Sequence, residues 1–258
     1  MKIVAIGGGE IGRLIDENDE SKGRYPIETF KIDKEVVILT GKKNPRLLFL
    51  PTATSDSLKY CEVVERYYGK KLGCKVDYLL LTKKDYSPEE IRRRIFGSDV
   101  IYVGGGNTRM MLEVWKAKGV DKMLKEAAER NIVLAGVSAG AICWFDSANS
   151  DSERLDKNNP AAKLIKLNGL GLVNLMACPH YDGESRRASL HSMVQEHGER
   201  AIALDNCAAM EIVDDKYRIL STRQGASGHL VYLRNGVVFE DDVEASRKFS
   251  PLVKLRKA

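Results

Sequence analysis

The chain has 258 residues, of which 41 are basic and 36 are acidic, giving a formal charge of +5. This length suits one large α/β domain with a sizeable core. The basic residues are dispersed among acidic ones, apart from Arg92–Arg94 and Lys254–Lys257, so the clustered charge of a nucleic-acid-binding surface is lacking. No stretch reaches the roughly 18 apolar residues of a membrane span, and the first residues resemble a strand instead of a signal peptide. These features predict a cytoplasmic protein without nucleic-acid or membrane partners.

Apolar runs and helical patterns alternate through the first half of the chain. Strands are predicted at Lys2–Ile6, Arg46–Leu50, Val76–Leu81, Val100–Val103 and Asn131–Ala135. Helices, marked by capping and stop residues, are predicted at Pro26–Thr40, Ser57–Leu72, Ser87–Phe96, Arg109–Lys118 and Asp121–Arg130, and a loop at Glu10–Tyr25. The alternation predicts right-handed βαβ units in a doubly wound, mostly parallel sheet with flanking helices. Ligands of such sheets bind beyond the carboxyl ends of the strands.

The second half of the chain differs in its pattern. A polar stretch, Asp146–Asn168, predicts a long surface loop, and a strand at Leu172–Cys178 precedes a helix at Glu184–His197. Short alternating segments with Asp214-Asp215 and Asn235-Gly236 turns predict antiparallel strands at Ala201–Leu204, Ala208–Val213, Tyr217–Ser221, His229–Leu233 and Val237–Glu240. We expect residues 1–258 to form a single α/β domain that includes the hairpin region at about 208–245.

The five cysteines give no sign of a disulfide framework or a zinc site. They are odd in number, include no C-x-x-C motif and lie mostly in apolar surroundings. We therefore predict reduced core residues at Cys61, Cys74, Cys143, Cys178 and Cys207.

A turn between a predicted strand and a predicted helix carries the main candidate nucleophile. Gly136, Ser138 and Gly140 match the spacing G-x-S-x-G, after the strand at Asn131–Ala135 and before a helix at 142–145. Such a turn can hold a serine in a strained, exposed position, and the N–H groups of the following helix can stabilise an oxyanion. A serine before a helix is also a common N-cap, so the motif alone does not decide between the two roles.

A serine nucleophile needs a base, and four histidines are available. His180 follows a predicted buried strand and lies at the same sheet edge as Ser138. His191 and His197 fall within or at the end of a polar helix, where solvated side chains are expected. His229 is the first residue of a predicted hairpin strand. It has either a structural role or a place in the pocket, and the sequence does not decide between them.

Two glycine runs follow predicted strands. Gly104–Gly106 fits a tight strand-to-helix turn but lacks the dinucleotide-binding spacing. Gly7, Gly9 and Gly12 do fit G-x-G-x-x-G, yet a polar loop follows them instead of a helix. Dinucleotide binding is therefore not predicted.

Four ordered motifs resemble the peptidase E (α-aspartyl dipeptidase) and cyanophycinase family: Tyr102–Thr108, Gly136–Ala141, Cys178–Tyr181 and Gly183–Arg186. The resemblance covers about residues 1 to 213. It implies a fold like that of class I glutamine amidotransferase domains, with the amidotransferase cysteine replaced by serine.

The resemblance also implies roles for individual residues. Ser138 would be the nucleophile and His180 the general base, and backbone N–H groups of Ala139, Gly105 and Gly106 would hold the oxyanion. For the substrate, the implied residues are Asn107, lining the site, and Arg186, pairing with an acidic P1 side chain. A guanidinium suits that second role because it can bind a carboxylate bidentately. The alternative interpretation of Arg186 is a solvated arginine on the helix surface.

Three residues are candidates for orienting the histidine. Typical members of the family carry a glutamate there, and the matching position in this chain is Asn206. An asparagine can fix the tautomer of a histidine but cannot stabilise the imidazolium as a charge does. Asp205 and Asp151 are alternatives, so the third member stays open.

These expectations combine into a predicted function. The chain is expected to be a serine peptidase that hydrolyses short peptides, dipeptides with an acidic P1 residue above all, through an acyl-enzyme. The alternatives are an amidase or isopeptidase acting on a non-standard peptide, and a non-catalytic binding module on an amidotransferase-like scaffold. A small peptide is the expected partner, no metal or organic cofactor is implied, and a homodimer stays open.

Overall fold

The strands form two sheets in a computed structural model that describes residues 1–16, 18–155, 159 and 162–256. In chain order the strands are β1 (Lys2–Ile6), β2 (Arg46–Leu50), β3 (Lys75–Tyr78), β4 (Val100–Val103), β5 (Val133–Val137), β6 (Phe145–Ser150), β7 (Ile165–Asn168), β8 (Val173–Cys178), β9 (Ala201–Leu204), β10 (Ala208–Val213), β11 (Lys216–Ser221), β12 (Gly228–Arg234), β13 (Val237–Val243) and β14 (Ser250–Pro251). The helices are α1 (Phe30–Ile38), α2 (Leu58–Val64), α3 (Pro88–Phe96), α4 (Thr108–Lys118), α5 (Val120–Glu129), α6 (Ala139–Ile142), α7 (Arg186–His197) and α8 (Val253–Arg256).

Eight strands make the large sheet, in the order β14-β11-β10-β1-β5-β4-β2-β3. The five strands from β1 to β3 in this order run parallel, and β10, β11 and β14 are antiparallel to their neighbours. β1, β2, β4 and β5 are almost fully buried, as expected for parallel strands with both faces covered. The predicted fold class, a mostly parallel α/β sheet with flanking helices and C-terminal antiparallel strands, is confirmed.

The other six strands make the small sheet, in the order β13-β12-β9-β8-β6-β7. Within it β6, β8 and β9 are parallel, and the remaining pairs are antiparallel. The predicted turns join β10 to β11 and β12 to β13. Asn235 and Gly236 both have positive φ angles, which a type I′ hairpin turn requires.

The helices and sheets stack in layers. α1 and α2 cover one face of the large sheet, whereas α3, α4, α5 and the small sheet lie on its other face. α7 covers the outer face of the small sheet. One hydrophobic cluster contains residues of both sheets, such as Leu48 in β2 and Ile202 in β9. Packing between the sheets therefore sets the relative positions of their strand ends.

Most predicted elements are found with shifted ends. The helix predicted at Pro26–Thr40 is the shorter α1, and the strand predicted at Val76–Leu81 is β3. The helix predicted at Ser57–Leu72 is α2, continued directly by a π-helix at Glu65–Lys71. The predicted loop Glu10–Tyr25 contains one short 3-10 helix, Glu20–Lys22, and its residue Glu17 lies outside the described residues.

The segment after the serine motif differs from the prediction. The helix expected at 142–145 is instead α6, and β6 already begins at Phe145. The surface loop predicted at Asp146–Asn168 is wrong where β6 and β7 form. Residues 156–158, 160 and 161 of that prediction lie outside the described residues.

The polar composition of β6 has a physical explanation. Ser147 and Asn149 are buried, and both bond to side chains of neighbouring elements. Ser147 donates to Glu199, and the Asn149 amide donates to the Ser189 hydroxyl at 2.8 Å. Because buried polar groups of this kind are satisfied by hydrogen bonds, a polar segment can form an interior strand.

The cysteines lie where the sequence predicts. All five are buried, and none forms a disulfide. In the part of the chain that the structure describes, no helix is long and apolar enough to cross a membrane.

Candidate active site

Ser138 lies at the turn between β5 and α6. Its backbone has φ 55° and ψ −114°, a conformation that non-glycine residues rarely adopt and that is common where a side chain is held for function. A Cβ atom at Gly136 would overlap the carbonyl oxygen of Gly140, and one at Gly140 would overlap that of Val103. The two glycines of the motif therefore allow the turn to pack closely against the end of β4.

His180 follows the carboxyl end of β8 in the small sheet. Its backbone also has a positive φ, 52°. Its ring nitrogen Nε2 lies 2.9 Å from Ser138 Oγ, which is within hydrogen-bond distance. The structure thus brings together the serine and the histidine that the sequence singled out, although they lie on different sheets.

Asn206 lies between β9 and β10, and its side chain completes the contact with His180. The Asn206 Oδ1 atom is 2.7 Å from His180 Nδ1. Asn206 Nδ2 donates to Asp182 Oδ1 at 2.8 Å, so the amide oxygen must face the imidazole. His180 Nδ1 is then the donor, and Nε2 remains as the acceptor for the Ser138 hydroxyl.

Asp182 was not among the residues predicted from the sequence. It accepts hydrogen bonds from both the backbone and the side chain of Asn206, and it forms an ion pair with Arg223. Partial burial acts to raise the pKa of Asp182, but the Asn206 N–H and the Arg223 guanidinium outweigh it and lower the pKa below its usual value. The negative charge of Asp182 therefore lies next to Asn206, on the side of the amide that faces away from His180.

The end of β1 and the glycines that follow it fix the backbone at Ser138, at His180 and next to Asn206. The carbonyl oxygens of Ile6, Gly7 and Gly8 accept the backbone N–H groups of Ser138, His180 and Cys207, at 3.0, 3.1 and 2.8 Å. A Cβ atom at Gly8 would overlap both the His180 ring and the Asn206 amide. Three glycines that follow a buried strand, at the edge where Ser138 lies, are a sequence signal for this role, although their spacing by itself indicates only a dinucleotide motif.

Gly105 and Gly106 lie beside the serine, as the resemblance implied. The position of a Cβ atom on Gly105 is 3.8 Å from Ser138 Oγ. Burial raises the pKa of Tyr60 to about 12, and a backbone hydrogen bond from Gly105 opposes this rise. Ala139 is the first residue of α6, so its N–H has no partner within the helix.

Asp205 and Asp151 do not contact His180. The carboxylate of Asp205 instead accepts the Ser227 N–H at 3.0 Å and lies 3.2 Å from His229 Nε2. Burial acts to lower the pKa of His229, but Asp205 and Asp242 outweigh it and raise that pKa. Of the three candidates for the orienting residue, the structure places only Asn206 against the histidine.

Arg186 lies in a buried ion pair. Its guanidinium is 2.6 Å from the Asp151 carboxylate, and it also donates to the backbone and side-chain oxygens of Asn149. The side chain is 7% exposed. Contrary to the reading of Arg186 as a solvated helix residue, the charge is satisfied inside the protein and is not free to meet a ligand.

Asn107 is the N-cap of α4. Its Oδ1 accepts the Met110 N–H at 3.0 Å, and its Nδ2 donates to the Ser152 carbonyl at 3.3 Å. Both polar atoms of the side chain are therefore used in holding helix and loop together. In the structure Asn107 caps a helix behind the glycine turn, whereas the resemblance implied that it lines the substrate site.

A cavity of about 910 Å³ opens at Ser138 and His180. Gly105, Gly106 and Asn206 also line it, together with Leu155 from the segment predicted as a long surface loop. Its outer walls come from the loop after β1 and from α2 with the π-helix. The volume lies at the upper end of the range of about 300–1,000 Å³ that is usual for small-molecule sites.

An α/β sheet that carries a serine at a strand-to-helix turn beside a histidine is an arrangement typical of serine hydrolases. Residues 21–220 match the model of peptidase family S51. The chain belongs to this family and is a serine-type peptidase.

Relatives and solved structures agree with this assignment. The chain is 35% identical to the uncharacterized peptidase YgaJ of Bacillus subtilis, over 93% of this chain and 95% of that protein. It is 23% identical to peptidase E of Streptomyces coelicolor, over 66% and 69% of the two chains. A Listeria monocytogenes structure provisionally described as peptidase E superposes with a TM-score of 0.57 at 25% identity, covering 76% of this chain and 96% of the other. A peptidase from an acI-B1 actinobacterium shares the fold, with a TM-score of 0.66 at 18% identity over 97% and 96% of the chains.

Proposed function

We propose that the protein hydrolyses short peptides through a covalent acyl-enzyme on Ser138, with His180 as the general base and with a preference for an acidic P1 residue. The observation that carries the proposal is the continuous hydrogen-bonded series from Ser138 through His180 and Asn206 to Asp182. A serine hydroxyl bonded to a correctly oriented imidazole is the arrangement that makes it a nucleophile.

The proposed reaction has two halves. Ser138 Oγ attacks the carbonyl carbon of the scissile bond while its proton passes to His180 Nε2, and the imidazolium then gives that proton to the leaving amine nitrogen as the C–N bond breaks. Water attacks the resulting ester, His180 takes the water proton, and the proton returns to Ser138 Oγ as the acid product leaves. Each half passes through a tetrahedral oxyanion.

Backbone N–H groups next to Ser138 are the candidates for holding this oxyanion. Ala139 offers one donor at the start of α6, and the Gly105–Gly106 turn runs alongside the hydroxyl. The N–H groups of Gly105 and Gly106 are the candidates for the second donor. Preorganised donors of this kind contribute about 2.7–4 kcal/mol each to lowering the barrier.

The preference for an acidic P1 residue is supported by the resemblance to peptidase E. Arg186, which the resemblance implies as the source of the charge, is paired with Asp151 and does not line the cavity, so the resemblance alone supports this preference.

The first prediction tests the nucleophile and base together. Ser138→Ala and His180→Ala should each remove most turnover, and the double variant should be little worse than either single one, because residues acting as a unit are strongly non-additive. Turnover is measured with dipeptides that differ only in Asp or Asn at P1, and the Asp substrate should have the higher kcat/KM.

Labelling by a fluorophosphonate provides the matched measurement. The wild-type protein should label, and Ser138→Ala should not, whereas Ser189→Ala should label like the wild type. Labelling of Ser138→Ala, or full additivity of the two losses of activity, would contradict the pairing of Ser138 with His180.

A further inference from the structure

A basic groove continues the active-site cavity away from Ser138. This groove has a volume of about 420 Å³ and shares Ile11, Arg24, Val63 and Arg66 with the larger cavity. Among the described residues, the charged side chains that line it are all basic: Arg24, Arg66, Lys70 and Lys71. A ligand that leaves the cavity by this route passes only positive charges.

Arg66 lies at the junction of the cavity and the groove. Its Nη1 atom is buried and has no hydrogen-bond acceptor in the part of the chain that the structure describes. A buried donor left unsatisfied is unfavourable. An incoming carboxylate or similar acceptor would therefore remove a cost that the free protein carries.

Several neighbouring charged side chains in the cavity already have partners. Arg13 forms an ion pair with Glu10 at 2.7 Å, and the Glu28 carboxylate accepts the Glu10 backbone N–H at 2.9 Å. Arg24 approaches Glu20 only at 3.9 Å. Arg66 is consequently the cation at this junction that is best able to take a new anionic partner.

The helix that carries Arg66 gives its approximate spacing from the glycine turn beside Ser138. Tyr60 touches the glycine turn beside Ser138, and Arg66 comes six residues later on the helix formed by α2 and the π-helix. At 1.5 Å per residue this separation is roughly 9 Å. An extended peptide covers that distance in about two to three residues. π-helical turns of this kind are frequent at functional sites.

We infer that Arg66 and the groove bind carboxylates of an acidic peptide segment that lies two to three residues from the scissile bond. The inference rests on the proposed function for the position of that bond. The preferred substrate is then an acidic oligopeptide that is longer than a dipeptide. Its carboxylates are recognised by Arg66 on the π-helix, in addition to the proposed recognition of an acidic P1 residue near Ser138.

The experiment measures peptide binding to Ser138→Ala protein by fluorescence anisotropy, so that turnover is not needed. Pentapeptides share one dipeptide and carry a three-residue extension of either Asp or Ala, attached to the amino or to the carboxyl end of that dipeptide. For one of the two ends, the Asp peptide should bind about tenfold more tightly than the Ala peptide, since a hydrogen bond to a charged group contributes about 1.5–3 kcal/mol.

Arg66→Gln should remove most of this tenfold difference and leave the affinity for the Ala peptide nearly unchanged. The matched control is Arg93→Gln on α3, whose side chain is 74% exposed and lies outside both concave surfaces. This control should keep the full preference. Equal affinities for Asp and Ala peptides at both ends, or an Arg66→Gln protein that still prefers Asp, would overturn the inference.

Two further outcomes separate this inference from the proposed function. If the wild-type protein cleaves both peptide series with equal kcat/KM, the function stands and the acidic subsite is rejected. If it cleaves neither series while Arg66-dependent binding of the Asp peptide persists, the groove stands and the proposed cleavage is rejected. Tighter binding of phosphoserine peptides than of Asp peptides would show a phosphate site and would reject the assignment to carboxylates.

Discussion

Asn206 gives the site a neutral contact where many serine peptidases have a charge. In a serine–histidine–aspartate triad the acid both fixes the tautomer and stabilises the imidazolium. Here the two tasks are divided, because Asn206 Oδ1 accepts from His180 while Asp182 carries the charge behind it. Asp182 does not touch the reacting atoms, so its role in the proposed reaction is that of a positioning residue.

Asp182→Asn should lower kcat with little change in KM. The amide oxygen of the variant can still accept from Asn206, but the ion pair with Arg223 that holds this side chain is lost, and the imidazolium loses a nearby charge. At an effective dielectric constant near 20 that charge is worth about 1–3 kcal/mol, which corresponds to about 5- to 150-fold in rate. Steady-state kinetics and thermal unfolding of this variant and of Asp215→Asn, an exposed turn residue, check the prediction. An unchanged kcat in a folded Asp182→Asn protein would show that the charge at position 182 is not needed to orient Asn206 or to assist the reaction.

The π-helix is joined to α1 by a buried carboxyl group. Asp33 of α1 accepts hydroxyl hydrogen bonds from Thr29, Tyr67 and Tyr68 at 2.6 to 2.8 Å. Burial raises the pKa of Asp33 from its usual 3.8 to about 6, although the three hydroxyl groups act in the opposite direction. The tyrosines follow Arg66 directly, so this contact also fixes the wall of the cavity.

The raised pKa makes stability depend on pH. The folded protein binds the Asp33 proton more tightly than the unfolded chain does, so the stabilisation is complete below pH 3.8 and is lost as the pH rises through about 6. Two pKa units correspond to roughly 3 kcal/mol. The free energy of unfolding of the wild type should fall relative to that of Asp33→Asn between pH 4 and 7, by up to roughly this amount.

Urea unfolding at several pH values measures this difference. Asp85→Asn, a change at a fully exposed position, should follow the wild type at every pH. Parallel curves for the wild type and Asp33→Asn would mean that the carboxyl group is ionised in both states over this range.

The site is assembled from two sheets. Ser138 follows a strand of the large sheet, His180 follows a strand of the small sheet, and Asn206 lies on the connection between the two. The hydrogen bonds from the end of β1 hold the backbones together. The distance between nucleophile and base therefore depends on how the sheets pack.

Ile202→Ala should reduce activity more than its effect on stability predicts. Ile202 is fully buried in the hydrophobic cluster shared by the sheets, three residues before Asp205. Such a truncation costs about 2–5 kcal/mol of stability, and relaxation of the sheets would displace His180 and Asn206. Leu124→Ala in α5, which packs against α3 and α4, is the control of similar size. Equal kcat values for the two folded variants would contradict this dependence on sheet packing.

The sequence predicted the parallel sheet and the turn that carries Ser138 because those signals are local. Apolar runs gave the bounds of β1, β2 and β4 without error, and the glycines around Ser138 marked its turn. It did not predict β6, because the hydrogen bonds that satisfy its polar residues come from distant parts of the chain. The roles of Gly8 and Asp182 were missed for the same reason, since each depends on contacts made only after the two sheets have met.

The link between Asn206 and Asp182 also constrains how this chain could have diverged. An acidic residue at position 206 would set two carboxylates at the present Nδ2–Oδ1 separation of 2.8 Å, where one of them would have to stay protonated. Loss of the charge at position 182 would relieve that conflict. A lineage that moves from an amide to an acid at position 206 is therefore expected to change position 182 first, and descendants should seldom carry acids at both.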